Sequence, residues 1–339
     1  GIDDAFPISD IDDILPGLIE GRDRVYYSMG KDDHFDNQVM DWVKVIRNKA
    51  KMGAHPPGEF LVLDHLLHEL RLFKSAGEIK LMETAAKISA QGHKRAMSCC
   101  KPGIKEYEME AELLYAFARN GSRAPAYNSI VAAGDNACIL HYNTNNAEVK
   151  EGDLILIDAG CEYEYYASDI TRTFPATGKF TPEQKAIYQL VLDAQNDAID
   201  AVAPGASWDA PHNASVKVIT RGLVKLGLLK GKASELIKAE AYRDFYMHRV
   251  GHWIGMDVHD VGDYKIDDHW RLLEPGMVTT IEPGIYISPD NKKVEKRWRG
   301  IGVRIEDDVL VTKQGNRILS KGIPKTVEEI ESFMSSAVH

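Results

Sequence analysis

The chain repeats itself. Ser75-Ala76-Gly77-Glu78 has the spacing of a capping box and opens an amphipathic helix expected over residues 75–100, which Lys101-Pro102-Gly103 ends; another helix is expected over 107–119. The same order returns at Thr181-Pro182-Glu183, with proline at the first helical position. That helix runs towards Val202, Pro204-Gly205 interrupts it, and an apolar stripe predicts a further helix over 207–229. Each half then enters apolar strands carrying two acids, Asp158 and Asp169 in the first and Glu282 and Glu306 in the second. Gly152 precedes Asp158, and Gly276 precedes Glu282, by the same interval; Gly160 or Gly284 follows closely. Two such halves about a pseudo-twofold axis would bring all four acids to one centre, with a curved antiparallel sheet around it and helices behind. That is an α+β architecture.

The acids constrain the chemistry. Leu154-Ile155-Leu156-Ile157-Asp158 is expected to turn near Tyr163 and Glu164 and return through Ser168-Asp169-Ile170-Thr171, so that Asp158 faces Asp169. Like charges opposed at about 5 Å on an antiparallel pair are destabilising unless a cation lies between them. Hard oxygen ligands with one imidazole suit Mn²⁺, Mg²⁺, Fe²⁺ or Co²⁺, and ligand identity leaves Zn²⁺ open. Four carboxylates balance two divalent ions, which in two-metal sites lie about 3.5–4 Å apart and lower the pKa of bound water towards about 7.

Several runs, in order, carry a resemblance: Cys138-Ile139-Leu140-His141-Tyr142, Leu156-Ile157-Asp158-Ala159-Gly160, Ser168-Asp169-Ile170-Thr171-Arg172-Thr173-Phe174-Pro175, His252-Trp253-Ile254-Gly255-Met256-Asp257-Val258-His259-Asp260, Ile281-Glu282-Pro283-Gly284-Ile285-Tyr286 and Arg304-Ile305-Glu306-Asp307-Asp308. From about Ser75 onward the chain resembles the bacterial aminopeptidase P family, the Xaa-Pro aminopeptidases among the pita-bread metallopeptidases of family M24. The resemblance implies the pita-bread fold and a hydrolase that releases the residue preceding an N-terminal proline bond. It implies two Mn²⁺ ions, with Co²⁺, Fe²⁺, Zn²⁺ or Mg²⁺ as alternatives. Asp169 and Glu306 would bridge the ions, Asp158 would complete one, and His252 with Glu282 the other; a bridging hydroxide would attack the scissile carbonyl.

Other roles follow by resemblance or by position. Glu282 is the expected proton shuttle to the leaving nitrogen. His259 and His141 resemble histidines that contact the substrate carbonyl or leaving group, and His248 one that lines the proline pocket. Arg304, two residues before Glu306, is placed to orient a ligand carboxylate or compensate its charge, with Tyr286 joining it in a relay. Thr171, two beyond Asp169, is placed to hydrogen-bond a bridging ligand. His34, His55, His65, His68, His93, His212, His269 and His339 have no such context and are read as ordinary surface or core histidines, and the remaining tyrosines and tryptophans as packing. The stretches 148–153 and 290–299 read as exposed turns.

Residues 1–74 differ in character. Amphipathic stretches at 8–18 and 37–49, an apolar run Arg24-Val25-Tyr26-Tyr27 and a turn-rich 53–58 suggest a partial α/β amino-terminal domain, truncated relative to the family, before a catalytic domain over 75–339. A net charge of −10 argues against nucleic acid and anionic membrane as partners. No apolar run approaches a membrane span and no signal-peptide pattern opens the chain, so a cytoplasmic location is expected. The four cysteines, two of them the adjacent Cys99-Cys100, form neither a disulfide framework nor a zinc spacing. Family members commonly form dimers or tetramers. Two rival functions share the cleft: a prolidase that splits Xaa-Pro dipeptides, for which a base such as Arg271 would hold the free carboxylate, and a non-catalytic, metal-bound peptide-binding module. The segment 263–270 is where the dipeptide question sits.

Overall fold

The computed structural model describes residues 2–337, and His339 lies outside them. The chain forms two compact units, Gly1–Leu70 and Arg71–His339. In the first, helix α1 (Ile11–Ile19) leads to strand β1 (Arg24–Tyr27), helix α2 (Asp33–Asn48), strand β2 (Glu59–Val62) and helix α3 (Asp64–Leu72), with β1 and β2 parallel. Helix α2 begins four residues ahead of the expected start because Asp32 caps it, accepting from the amides of His34 and Phe35. Val39, Trp42 and Ile46 form its buried stripe and pack against Tyr27.

The second unit opens with helices α4 (Ala76–Cys99) and α5 (Glu106–Arg119) and strands β3 (Ala124–Pro125), β4 (Ile130–Ala133), β5 (Leu154–Asp158), β6 (Cys161–Tyr163), β7 (Tyr166–Ala167) and β8 (Thr171–Pro175). Helices α6 (Pro182–Asp200), α7 (Ala210–Lys225) and α8 (Ala233–Lys238) follow, then the short hairpin β9 (Lys265–Ile266) and β10 (His269–Trp270). The second strand set is β11 (Val278–Ile281), β12 (Gly284–Ile287), β13 (Ile301–Arg304), β14 (Asp307–Thr312) and β15 (Gly315–Ile318), and helix α9 (Val327–Ala337) closes the chain. The expected cap is present, Ser75 with Glu78 at α4, and α6 opens as expected with Pro182 at its start, where Thr181 and Gln184 form a second capping box. Helix α7 is shorter than expected, starting after Asp209 and stopping at Leu226 before Gly227, whose φ of 75° no helix continues.

The duplication is visible in the ladders. Strand β5 is antiparallel to β8, and β11 is antiparallel to β14. The strands are interrupted at the acids: Ala159 and Gly160 separate β5 from β6, Glu282 and Pro283 separate β11 from β12, and Ile305 and Glu306 separate β13 from β14. Proline has no N–H for a ladder, and at Gly160 a Cβ would stand 1.7 Å from the Ser168 carbonyl oxygen. These breaks turn the backbone so that the acids point inward. Behind them lies a continuous core that includes Phe117, Ile157, Phe174, Tyr188 and Val303, all nearly inaccessible to solvent.

Within the runs read as exposed turns, Val149, Val294 and Trp298 are buried. Their apolar side chains anchor otherwise polar loops. The cysteines are free thiols. No helix among the described residues is long and apolar enough to cross a membrane.

Candidate active site

The ladder places Asp158 opposite Thr171, not opposite Asp169. The expected simple hairpin is interrupted by the smaller hairpin β6–β7, whose turn residues Glu164 and Tyr165 have φ of 49° and 70°. Asp169 therefore lies just ahead of β8, where the Ala159 amide donates to the Ile170 carbonyl at 3.0 Å. The two carboxylates still converge, on Tyr127. Its hydroxyl lies 2.6 Å from Asp158 Oδ1 and 2.6 Å from Asp169 Oδ1.

The second pair arrives from the other half. Ile281 pairs with Asp307, so Glu282 and Glu306 occupy neighbouring strand breaks. The halves are joined at Thr171, whose carbonyl accepts from the Glu306 amide at 3.1 Å and whose hydroxyl donates to Glu306 Oε2 at 2.6 Å. Arg304, at the end of β13, donates from Nη2 to Asp158 Oδ2 at 2.8 Å, from Nη1 to the Tyr286 hydroxyl at 2.9 Å and from Nε to Thr171 Oγ1 at 3.3 Å.

His252 sits on an irregular segment running beside β11, where its carbonyl accepts from the Thr280 amide at 2.9 Å. Gly251 makes this approach possible, since a Cβ there would lie 1.9 Å from the Thr280 carbonyl oxygen. Nδ1 of His252 lies 2.9 Å from the Trp253 carbonyl and must donate to it, which turns Nε2 towards the site; against the pull of its burial, Asp169 and Glu282 hold the imidazole up at about 9. Nε2 stands 3.4 Å from Asp169 Oδ2 and 3.6 Å from Glu282 Oε1. Ligand atoms of Asp169, His252 and Glu306 all lie within 4.8 Å of one another.

Charge is crowded in this arrangement. Burial raises the Glu306 carboxyl far above its usual range, helped by Asp169, Glu282 and Asp158. Burial likewise pushes Glu282 up to about 7, against His252 and Arg304. The Tyr127 hydroxyl has one proton for two carboxylate oxygens at hydrogen-bond distance, so an ionised pair leaves one close O···O contact unbridged. Oxygen donors from four acids and one imidazole nitrogen, whose protons a divalent cation would displace, are what such cations require. The donor set fits such ions.

All five expected ligands, Asp158, Asp169, His252, Glu282 and Glu306, line one cavity of about 480 Å³, together with His141, His248, His259 and Arg304. The His259 ring lies edge-on to His252 at 4.3 Å. His248 Nε2 lies 2.9 Å from the Tyr286 hydroxyl, and its Nδ1 lies 2.7 Å from the Arg249 carbonyl. Arg271 turns elsewhere: its guanidinium lies 5.6 Å from the centre of the Phe73 ring, and its Nη2 lies 3.9 Å from Glu274 Oε1. Two participants had escaped the reading of the sequence. Tyr127 looked like a packing tyrosine and has no acid close in sequence, and Asp308, whose Oδ2 accepts from the Asp169 amide at 3.1 Å, was masked by the acids beside it.

A family model, metallopeptidase family M24, matches residues 80–313. The chain is 46% identical over 337 residues to the Xaa-Pro aminopeptidase of Escherichia coli (strain K12), covering 99% of this chain and 76% of that protein. Among solved structures, the Pseudomonas aeruginosa aminopeptidase PepP superposes with a TM-score of 0.97 at 65% identity, over 99% of this chain and 76% of that one. A Zn-substituted E. coli aminopeptidase P in complex with product superposes with a TM-score of 0.96 at 45% identity, over 100% of this chain and 77% of that one. The chain belongs to metallopeptidase family M24, and its fold is that of aminopeptidase P.

Proposed function

We propose that this protein is a metal-dependent Xaa-Pro aminopeptidase, releasing the first residue of peptides whose second residue is proline. The observation that carries the reading is the convergence of Asp158, Asp169, His252, Glu282 and Glu306 on one cavity, in a chain 46% identical to a Xaa-Pro aminopeptidase. Those five side chains would hold two divalent ions, which we take to be Mn²⁺ because carboxylate oxygens dominate the donor set. Bound there, the ions supply a water acidified to near neutrality and Lewis-acid polarisation of the scissile carbonyl.

The chain's own residues do the rest. The imidazole of His252, fixed by the Trp253 carbonyl, presents Nε2 to the site without reorganising. Arg304 and Thr171 fix the free oxygens of Asp158 and Glu306, so both carboxylates are held before substrate arrives. Glu282, on the cavity wall beside His252, is the group to take a proton from the attacking water and return it to the leaving nitrogen. His141 and His259 line the cavity where the carbonyl and leaving group would be polarised. His248, tied to Tyr286 and through it to Arg304, stands where the proline ring would rest. The orientation of Arg271 towards Phe73 and Glu274 favours longer peptides over a dipeptidase that uses it as a carboxylate anchor. The resemblance also supports a cytoplasmic homo-oligomer, a dimer or tetramer.

The test is to strip the protein with a chelator and assay Ala-Pro-Ala and Ala-Pro side by side, with and without Mn²⁺. The reading expects release of alanine from the tripeptide, lost on chelation and restored by Mn²⁺. Activity on Ala-Pro alone would make the protein a prolidase, and metal binding without turnover would make it a binding module.

A further inference from the structure

The active-site cavity does not end at His248. Arg249 and Gly251 line it, and both also line an adjoining hollow of about 550 Å³ whose other walls are Trp208, Tyr264, Lys265 and Trp270. The floor is aromatic: the Trp208 ring centre lies 4.4 Å from that of Tyr264 and 5.6 Å from that of Trp270. Tyr264 in turn stacks at 4° on Trp253, the neighbour of His252, and its hydroxyl accepts from the Trp253 amide at 3.1 Å. Two cations stand at the rim on the same indole. The Arg249 guanidinium lies 5.1 Å, and Lys265 Nζ 4.6 Å, from the Trp270 ring centre.

Trp270 and Lys265 are held there by the β9–β10 hairpin, in which they pair directly. Its two turn residues, Asp267 and Asp268, both have positive φ, 48° and 62°, so this is a turn of the tight primed kind. Trp208, Tyr264 and Trp253 belong to the packed core of this region, and packing accounts for them. It does not account for two exposed cations over a partly exposed indole beside a catalytic cleft.

An aminopeptidase has one residue on the amino side of the bond it cuts. Whatever leaves the cleft beyond the two residues flanking that bond must be the carboxyl-terminal remainder of the peptide. We infer that the hollow formed by Trp208, Tyr264, Trp270, Arg249 and Lys265 is the subsite for the residue following proline. It takes an apolar or aromatic side chain on the indoles and pairs Arg249 and Lys265 with that residue's free carboxylate, so that the preferred substrate is a tripeptide Xaa-Pro-aromatic. This rests on the Xaa-Pro aminopeptidase reading above. The complementarity is chemical: aromatic rings offer flat apolar area, and guanidinium and ammonium groups favour a carboxylate.

The test uses the full chain loaded with Mn²⁺ and the substrates Ala-Pro-Phe, Ala-Pro-Ala and the carboxyl-terminal amide of Ala-Pro-Phe. The wild type is expected to favour Phe over Ala by about tenfold in kcat/KM, mainly through KM, and the acid over the amide by a similar factor. Trp270→Ala should collapse the first ratio towards one, and the double variant Arg249→Gln with Lys265→Gln the second. Equal losses on all three substrates, or ratios that survive both variants, would overturn the inference. If no tripeptide is cut by the wild type, the aminopeptidase reading fails separately; tryptophan-fluorescence titrations with Pro-Phe and Pro-Ala then decide the subsite. Tighter binding of Pro-Phe that is lost in Trp270→Ala supports it, and equal binding of the two overturns it.

Discussion

Arg304 reaches across the duplication to Asp158. The guanidinium comes from β13 in the second half and the carboxylate from the end of β5 in the first, and they meet at 2.8 Å with both side chains almost fully enclosed. Removing one member of such a buried pair strands the other charge. Arg304→Ala is therefore expected to cost about 3–5 kcal/mol in urea unfolding of the metal-free protein. Arg304→Lys keeps the charge but not the fork that also serves Tyr286 and Thr171, and should lower kcat at least about tenfold while retaining most of the stability. Equal stability of Arg304→Ala and wild type would show the pair to be inert.

Tyr127 offers a cleaner probe of the metal centre. Tyr127→Phe removes only the hydroxyl shared by Asp158 and Asp169. The expected result is a fall in Mn²⁺ affinity of about 10–100-fold by calorimetry, with unchanged circular dichroism. Undiminished affinity would mean that the two acids are positioned by their strands alone.

Acid should weaken the fold through His93. This histidine is fully buried in α4, with Nε2 2.9 Å from the Ala159 carbonyl and no partner for Nδ1 among the described residues. Burial depresses it from an ordinary 6.5 to about 4. The unfolded chain then binds the proton more readily, so the stability contributed is complete above pH 6.5 and is lost as pH falls from 6.5 towards 4. At pH 5 the loss is about 2 kcal/mol. His93→Gln, which keeps a donor for Ala159, should lose that much less stability than wild type between pH 7.5 and pH 5 in urea titrations of the metal-free protein. Identical pH slopes would rule His93 out.

Two backbone positions should respond in opposite directions. Gly160→Ala would press a methyl against the Ser168 carbonyl, 1.7 Å from the ideal Cβ, and should destabilise by about 3 kcal/mol or more. Tyr165 is exposed and held at φ 70°, so Tyr165→Gly should stabilise by roughly 0.5–1 kcal/mol, the relieved left-handed strain less the added chain entropy. Thermal melts of the two variants check both signs.

What was legible in the sequence was whatever is encoded locally or by repetition. The capping box at Ser75, the proline-led helix start at Thr181, Pro-Gly breaks and apolar strands are short-range patterns, and the recurrence of helix, break, helix and strands announced the duplicated halves. The four acids and the histidine gathered in the cavity stood in runs distinctive enough to be read together. In the amino-terminal unit, by contrast, β2 and α3 passed unread, because only Leu63 separates them, with no Gly or Pro to mark where strand gives way to helix.

Tertiary structure decided the rest. Only packing showed that Asp158 lies opposite Thr171, that a side hairpin intervenes before Asp169, and that Tyr127 spans both acids. It also turned Arg271 towards Phe73 and set Arg249 and Lys265 over Trp270. The physical reason is the range of the forces involved. Helix caps and side-chain periodicity act over a few residues, whereas a hydrogen bond between residues more than a hundred positions apart, such as that from Thr171 to Glu306, exists only once the chain has closed on itself.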